Sequence, residues 1–225
     1  MEEQTKQIEK LFKAGVHLGH KRNRLHPKAR KYVYKMINGT AVIDLTQTVK
    51  QLNKAKEVLK QAAKDNKKVL VVATKKIINQ FITETCTVKK VPFITQKWPS
   101  GLLTNFEMIM KNVKKMKSLE EGKANGSWDK FVKHERTKLS KELYKLNKFY
   151  FGLSLLEKKP DYILLLDLKK EKNALTEAKK HNIPVIAAID TNANPETVDF
   201  PILINDDSGT SVQLVMKELL DAYVK

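Results

Sequence analysis

Short apolar runs separated by amphipathic helical stretches most strongly limit what this chain can fold into. The runs at residues 69–73, 162–167 and 183–190 contain few polar residues. Runs of this length and composition are typical of strands that are covered on both faces of a parallel sheet. Because stretches with helical spacing alternate with these runs, the order predicts right-handed βαβ units. We therefore expect an α/β fold, with a parallel sheet and helices on both faces.

The spacing of apolar residues places the remaining elements of the α/β part. The stretch 41–45 is predicted to be the first core strand, and Thr46 is the expected N-cap of the helix that follows it. A short amphipathic helix is expected before this strand. The expected helices are 5–11, 46–66, 76–85, 168–181 and 209–223, and the further strands are 91–95 and 201–204.

Between residues 104 and 157 the apolar spacing becomes heptad-like, which predicts two antiparallel helices in an inserted α-helical coiled-coil hairpin. A glycine-containing break at 122–127 separates the two helices. The chain would then consist of 1–103, the first part of the α/β domain with a basic N-terminal stretch, 104–157, the hairpin, and 158–225, the second part. The lysine-rich hairpin face could be a solvated surface or a contact with a partner. The apolar heptad positions are Phe106, Ile109, Val113, Met116, Leu139, Leu143, Leu146 and Tyr150.

The stretch 21–35 carries an unusual density of positive charge. The whole chain has 43 Lys and Arg against 25 Asp and Glu, a formal net charge of +18. Such a charge indicates an anionic partner, and the excess of lysine favours contacts to phosphates over reading of bases. The alternative is a solvated basic arm without a partner, against which the interleaved Tyr32, Tyr34, Asn38 and Gly39 argue. The cations, with no acid among them, are Lys21, Arg22, Arg24, Lys28, Arg30, Lys31 and Lys35.

Three predicted strands end in an aspartate, at Asp44, Asp167 and Asp190. Ligands of open α/β sheets lie beyond the carboxyl ends of the strands, so these side chains could form a magnesium-dependent phosphoryl-transfer or receiver-like site. Aspartate is also a common loop opener and helix cap, which is the interpretation we favour. The sequence has neither a P-loop nor a dinucleotide glycine pattern after the first strand. Whether these strand ends bind a structural metal ion is left open.

Other classes of site find little support. The single Cys86 excludes an intramolecular disulfide and a cysteine zinc cluster. We expect no metal at His17 and His20, no catalytic set, no cofactor, no small-molecule substrate and no membrane span. Trp98, beside Lys97, could pack against the base of the hairpin, which we favour, or stack on a base. The lysines of the 73–76 stretch, ATKK, could hold one phosphate.

Several motifs resemble the small-subunit ribosomal protein 2 family in its bacterial and organellar form. They are AGVHLGH at 14–20, HPKARKYVY at 26–34, NGTAVIDL at 38–45, ATKK at 73–76, and Trp98 with LTNF at 103–106. The stretches 160–185, 190–192 and 205–207 continue the similarity in the same order. This sequence departs from the family pattern at Ala73, in place of glycine, and at Pro99-Ser100, in place of Leu-Gly.

The resemblance implies a flavodoxin-like (Rossmann-like) domain with a protruding coiled-coil hairpin. It implies a structural constituent of the small ribosomal subunit, without enzymatic activity, that binds 16S-type rRNA between head and body. Neighbouring small-subunit proteins, and possibly an S1-type protein, would be partners, on a cytoplasmic or organellar ribosome. We expect the rRNA contacts at Lys21, Arg22, Arg24, His26, Lys28, Arg30 and Lys31, and secondarily at Lys75, Lys76 and Lys97.

Overall fold

Residues 2–224 are described by the computed structural model, with side chains from residue 4 onward, and they form seven α-helices and eight strands. No helix in this part of the chain is long and apolar enough to cross a membrane. The elements in chain order are α1 (Glu2–Lys13), β1 (Leu18–Lys21), β2 (Val33–Ile37), β3 (Thr40–Ile43), α2 (Leu45–Lys64), β4 (Val69–Val72), α3 (Asn79–Lys89), β5 (Phe93–Ile94), α4 (Phe106–Ala124), α5 (Lys133–Tyr150), β6 (Tyr162–Leu166), α6 (Lys172–Lys180), β7 (Val185–Ile189), β8 (Phe200–Leu203) and α7 (Gly209–Tyr223).

A five-stranded parallel sheet forms the centre of the structure, as predicted. Its strand order is β5-β4-β6-β7-β8, and every neighbouring pair is parallel. Counted along this sheet alone the order is 2-1-3-4-5, which is the flavodoxin-like arrangement. All residues of β4 and β7 are buried, because helices cover both faces of these strands.

Successive residues of the central strands supply two separate cores. Val69 and Val71 pack with residues of α1, α2, α3 and α7 on one face. Leu70 and Val72 pack on the other face with α6 and with the base of α4. This alternation follows from the period of two in a strand, and it gives each face a continuous apolar layer.

The prediction that residues 41–45 form the first strand of the parallel sheet is wrong. β3 lies instead between β1 and β2 in a separate three-stranded antiparallel sheet. Asn38 and Gly39, both with positive φ, form the tight turn from β2 into β3, and such a two-residue turn favours an antiparallel hairpin. Ala41 and Ile43 are buried, which explains why the stretch has the composition of a core strand.

The boundaries of several helices differ from the prediction. The N-cap of α2 is Asp44 rather than Thr46. The Asp44 carboxylate accepts a hydrogen bond from the Thr46 backbone N–H at 2.9 Å. α6 begins at Lys172 because Asp167 has a positive φ, residues 168–170 form turns and Glu171 is the N-cap. α3 covers Asn79–Lys89 rather than 76–85.

Helices α4 and α5 pack against each other in the stretch where two helices were predicted. Met116, Trp128 and Leu143 form a small buried cluster between them. Lys115 of α4 forms an ion pair with Glu142 of α5. This cluster is separate from the two cores of the sheet, so the pair is held together largely by its own contacts.

Glu177 of α6 holds the segment that leads into α4. Its carboxylate accepts hydrogen bonds from Trp98 Nε1 at 3.0 Å, Gly101 N at 2.8 Å and Leu103 N at 3.0 Å. Trp98 is only 4% exposed and packs in the same core as Phe106 and Val113 of α4, so this ring is not available to stack on a base. Burial alone would raise the pKa of Glu177, but these hydrogen bonds lower it below its ordinary value.

Glu177→Gln should lower the free energy of unfolding by about 1–2 kcal/mol at pH 7, since an amide cannot accept all three hydrogen bonds. The folded state depresses the pKa of Glu177, so its contribution is present above its ordinary value of 4.5 and is lost as the pH falls through the lower folded value. Urea unfolding at several pH values measures the difference in unfolding free energy between the original chain and Glu177→Gln. This difference should become smaller at pH values below the folded pKa of Glu177. Glu157→Gln, at an exposed position, is the control, and an equal loss there would contradict the role of Glu177.

Candidate nucleic-acid interface

The basic stretch 21–35 is an ordered part of the structure rather than a charged loop. It contains two 3₁₀ segments, Arg22–Arg24 and Pro27–Tyr32, followed by β2. Ala29 is completely buried, and the His26 backbone N–H donates to the carbonyl of Thr191, after β7, at 2.9 Å. The cationic side chains therefore project from a backbone that is fixed to the main sheet.

Five of these cations are exposed and have no acidic neighbour in ion-pair contact within the part of the chain that has described side chains. Their positive charges are not neutralised by the protein, and their side chains are free to contact an anion. The five are Lys21, Arg22, Arg24, Arg30 and Lys35.

Two further predicted contact residues share an acidic partner. Lys28 and Lys31 both form ion pairs with Glu196, and all three side chains are about half exposed. The hydrogen bond with Glu196 raises the pKa of Lys31, and the hydrogen bonds from the two lysines lower the pKa of Glu196. Exposed ion pairs contribute little to stability, so a phosphate can replace Glu196 at low cost. His26 lies next to them, and its Nδ1 accepts from the Lys28 backbone N–H at 3.2 Å.

Lys75 has a different environment from the other predicted contact residues. Its Nζ lies 2.7 Å from Asp206 Oδ1, 3.0 Å from Asp207 Oδ1 and 3.4 Å from Asp167 Oδ2. Burial would lower the pKa of Lys75, but the hydrogen bond and charge of Asp206 and the other carboxylates raise it. With 14% of its side chain exposed and three carboxylates around its Nζ, Lys75 is engaged inside the protein and is not free to contact a phosphate, unlike the other predicted contact residues.

Lys76 and Lys97 are both exposed. Lys76 lies directly beside Lys75 in the chain, at the carboxyl end of β4, and Lys97 precedes the buried Trp98. Neither has an ion pair among the residues with described side chains. Both therefore remain available to a partner, at positions outside the basic stretch.

Comparison with known proteins identifies the family of this chain. The sequence model of the family described as ribosomal protein S2 matches residues 11–225. The chain belongs to the ribosomal protein S2 family. Proteins named small ribosomal subunit protein uS2 resemble it over nearly its whole length. The protein of Dehalococcoides mccartyi (strain CBDB1) is 37% identical to this chain over 221 residues, which cover 98% of this chain and 90% of the relative. That of Dictyoglomus thermophilum is 39% identical over 218 residues, covering 97% and 89%.

The matched region also contains the three aspartates of the alternative hypothesis, and the structure does not bring them together. Asp44 lines a cavity with Asp199, Phe200 and Pro201, at the start of β8. Asp167 and Asp190 follow the carboxyl ends of β6 and β7. The predicted site with all three carboxylates is therefore wrong, because β3 does not belong to the parallel sheet. Asp44 acts as a helix cap, the interpretation that the sequence favoured.

The carboxyl edge of the sheet instead holds an internal network of charges. Burial raises the pKa of Asp206 to about 7, and the hydrogen bond from Lys75 opposes this shift. His20 Nδ1 lies 2.9 Å from Asp190 Oδ2, and its Nε2 lies 3.6 Å from Asp207 Oδ2. Among the residues with described side chains, His20, Asp190 and Asp207 could together hold a metal ion. The hydrogen bond between His20 Nε2 and the Asn192 amide, at 3.0 Å, also accounts for the ring orientation.

A cavity that the sequence does not predict lies beside the basic stretch. Its volume is about 1000 Å³, and apolar, cationic and amide side chains line it, among them Phe12, Leu18, Arg24, Ile37 and Asn38. The cavity forms because β1 and β3 pair across the stretch. This pairing joins residues on both sides of the cationic run, and the sequence pattern does not reveal it.

Lys75→Met should lower the free energy of unfolding by about 3–5 kcal/mol at pH 8, because it leaves buried carboxylates without their cation. The raised pKa of Asp206 means that the folded state holds its proton more tightly than the unfolded state, whose ordinary value is 3.8. Stability due to Asp206 therefore falls as the pH rises from about 4 to about 7, and the effect of the substitution should be smaller at pH 5. Urea unfolding at pH 5 and pH 8 measures it.

The neighbouring substitution Lys76→Met removes the same charge at an exposed position and should change the unfolding free energy by less than about 0.5 kcal/mol. Equal effects of the two substitutions would show that Lys75 is not held by the carboxylates.

Proposed function

We propose that this chain is a structural constituent of the small ribosomal subunit that binds 16S-type rRNA through phosphate contacts. The observation that carries the proposal is the group of exposed cations on the rigid backbone of the basic stretch. A flexible arm would lose conformational entropy on binding, whereas this segment is already ordered. The naming of its relatives as small ribosomal subunit proteins supports the same conclusion.

The distribution of charge supports recognition of the RNA backbone rather than of base sequence. Acidic residues neutralise Lys75 at the carboxyl edge, while Lys21, Arg22 and Arg24 remain unpaired by the described carboxylates. Phosphate contacts give affinity that decreases with salt, because counterions are released from the RNA. We assign the contacts to the cations of the basic stretch with His26, and to Lys76 and Lys97.

The finer placement rests on the family resemblance. We propose a position between the head and the body of the subunit, with neighbouring small-subunit proteins and an S1-type protein as partners. The protein would act on the ribosome in the cytoplasm, without catalysis. The structure does not favour the phosphoryl-transfer alternative, since Asp44 caps α2 and does not join Asp167 and Asp190 at the carboxyl edge of the parallel sheet.

The helix pair is proposed to act as a coiled-coil hairpin that forms a unit of its own, residues 104–157, between the two parts of the α/β domain, 1–103 and 158–225. Met116 and Leu143, both predicted heptad positions, are buried between the helices. Exposed apolar side chains along the hairpin, such as Met108, Val132 and Tyr144, offer contacts to neighbouring proteins.

Sedimentation of a cell lysate through sucrose gradients tests the proposed function. The chain should travel with the small subunit at low salt and move to the top of the gradient at high salt. A chain that stays at the top at low salt would contradict a ribosomal role. Release that requires denaturant rather than salt would contradict the electrostatic mechanism.

The combined substitution of Lys21, Arg22 and Arg24 by Gln should weaken binding to small subunits from which the endogenous chain has been removed. The logarithm of the binding constant falls by roughly 0.7–0.9 per phosphate contact for each tenfold rise in salt. The loss of three contacts should therefore make the plot of log K against log salt less steep by about 2–3. Filter binding at several salt concentrations measures this. Changing three exposed lysines of α2, Lys50, Lys60 and Lys64, to Gln gives the same change in charge and should leave the slope nearly unaltered.

A further inference from the structure

Tyr34 is an aromatic residue with an unusually exposed ring on the ordered strand β2. Its exposed fraction is 76%, whereas Tyr32, two residues earlier, is half-buried and packs against the core that contains Ala29 and Ile43. Among residues with described side chains, no hydrogen bond or ring contact of the Tyr34 side chain is present. The fold therefore does not use this ring for packing.

A β-bulge accounts for the exposure. On β2 the paired residues are Val33, opposite Ile43, and Lys35, opposite Val42. Tyr34 is the extra residue between these pairs and has no partner on β3. A bulge of this kind redirects a side chain and often lies next to a functional surface. The strand is at the edge of its sheet, since the order is β1-β3-β2, so no further strand covers it.

The residues around Tyr34 in the chain are cationic and exposed. Lys35 follows it directly, and Arg30 and Lys31 precede it within four residues. An exposed aromatic ring among such charges has the two properties with which proteins bind single-stranded nucleic acid, a stacking surface and phosphate contacts. The charges around the ring disfavour a hydrophobic protein partner, which would be better matched by neutral neighbours. RNA is therefore the occupant that this surface favours.

We propose that Tyr34 stacks on an unpaired base of the bound RNA, so that the basic stretch holds a single-stranded nucleotide rather than only the backbone of a duplex. The inference rests on the proposed function, and it specifies the class of RNA, a loop, a bulge or an end with an unstacked base. The phosphates beside this nucleotide would contact the neighbouring cations. Because the bulge and strand pairing fix the backbone, little entropy is lost when the ring stacks.

The test compares the full chain with Tyr34→Leu and Tyr34→Phe in binding to small subunits depleted of the endogenous protein. Tyr34→Leu should weaken binding roughly five- to a hundredfold, the range found when a stacking side chain is removed. The loss should be the same at every salt concentration, because no phosphate contact is removed. Tyr34→Phe keeps the ring and should bind within about twofold of the original. Val88→Ala, at an apolar side chain that is 83% exposed on α3, is the control for loss of an exposed apolar group and should have no effect.

Irradiation at 254 nm, followed by nuclease and trypsin digestion and mass spectrometry, identifies what Tyr34 contacts. Cleavage after Lys31 and Lys35 isolates residues 32–35 as one short peptide, which should carry a nucleotide at Tyr34. Unaltered affinity of Tyr34→Leu would overturn the proposal. A loss of affinity without a nucleotide on this peptide would also overturn it and would indicate a protein partner. If the original chain itself fails to bind the subunits, the proposed function fails, which is a different outcome.

Discussion

The loop after β7 is the point on which the arrangement of the N-terminal part depends. Thr191 Oγ1 accepts from the His20 backbone N–H at 2.9 Å, and its carbonyl accepts from the His26 N–H at 2.9 Å. Asp190 is bound to the His20 ring. Gly19 allows this approach, because a Cβ there would lie 2.8 Å from Thr191. These contacts fix β1 and the basic stretch to the parallel sheet, so the cations have defined positions.

The same edge of the sheet separates two kinds of positive charge. Lys75 is surrounded by the carboxylates of Asp167, Asp206 and Asp207, and its charge stabilises buried acids. The cations of the basic stretch have no such neighbours, apart from the lysines that share the exposed Glu196. A high net charge alone does not distinguish these roles. Burial and partners do, and they show which lysines are available to an anion.

Local pattern was sufficient to predict the parallel strands, because β4 and β6 are continuous apolar runs whose burial follows from composition. It was also sufficient to place the helices α4 and α5 and to identify the family. The partner of β3 could not be predicted, since an apolar stretch does not specify which strand it pairs with. Long-range contacts were missed for the same reason: Lys75 meets Asp206 131 residues later, and Glu177 binds Gly101 76 residues earlier. The exposure of Tyr34 depends on strand register, which the sequence does not show.

The position of Thr191 also has a consequence for the order of events during synthesis. His20 and Thr191 are 171 residues apart, and a ribosome produces the N-terminal part of a chain first. The basic stretch therefore leaves the ribosome long before β7 and its loop exist. Until then its backbone lacks the acceptors that hold it, and its cations have no fixed geometry. A prematurely ended chain would carry the charges without their arrangement, so the fixed positions of these cations arise only when synthesis is nearly complete.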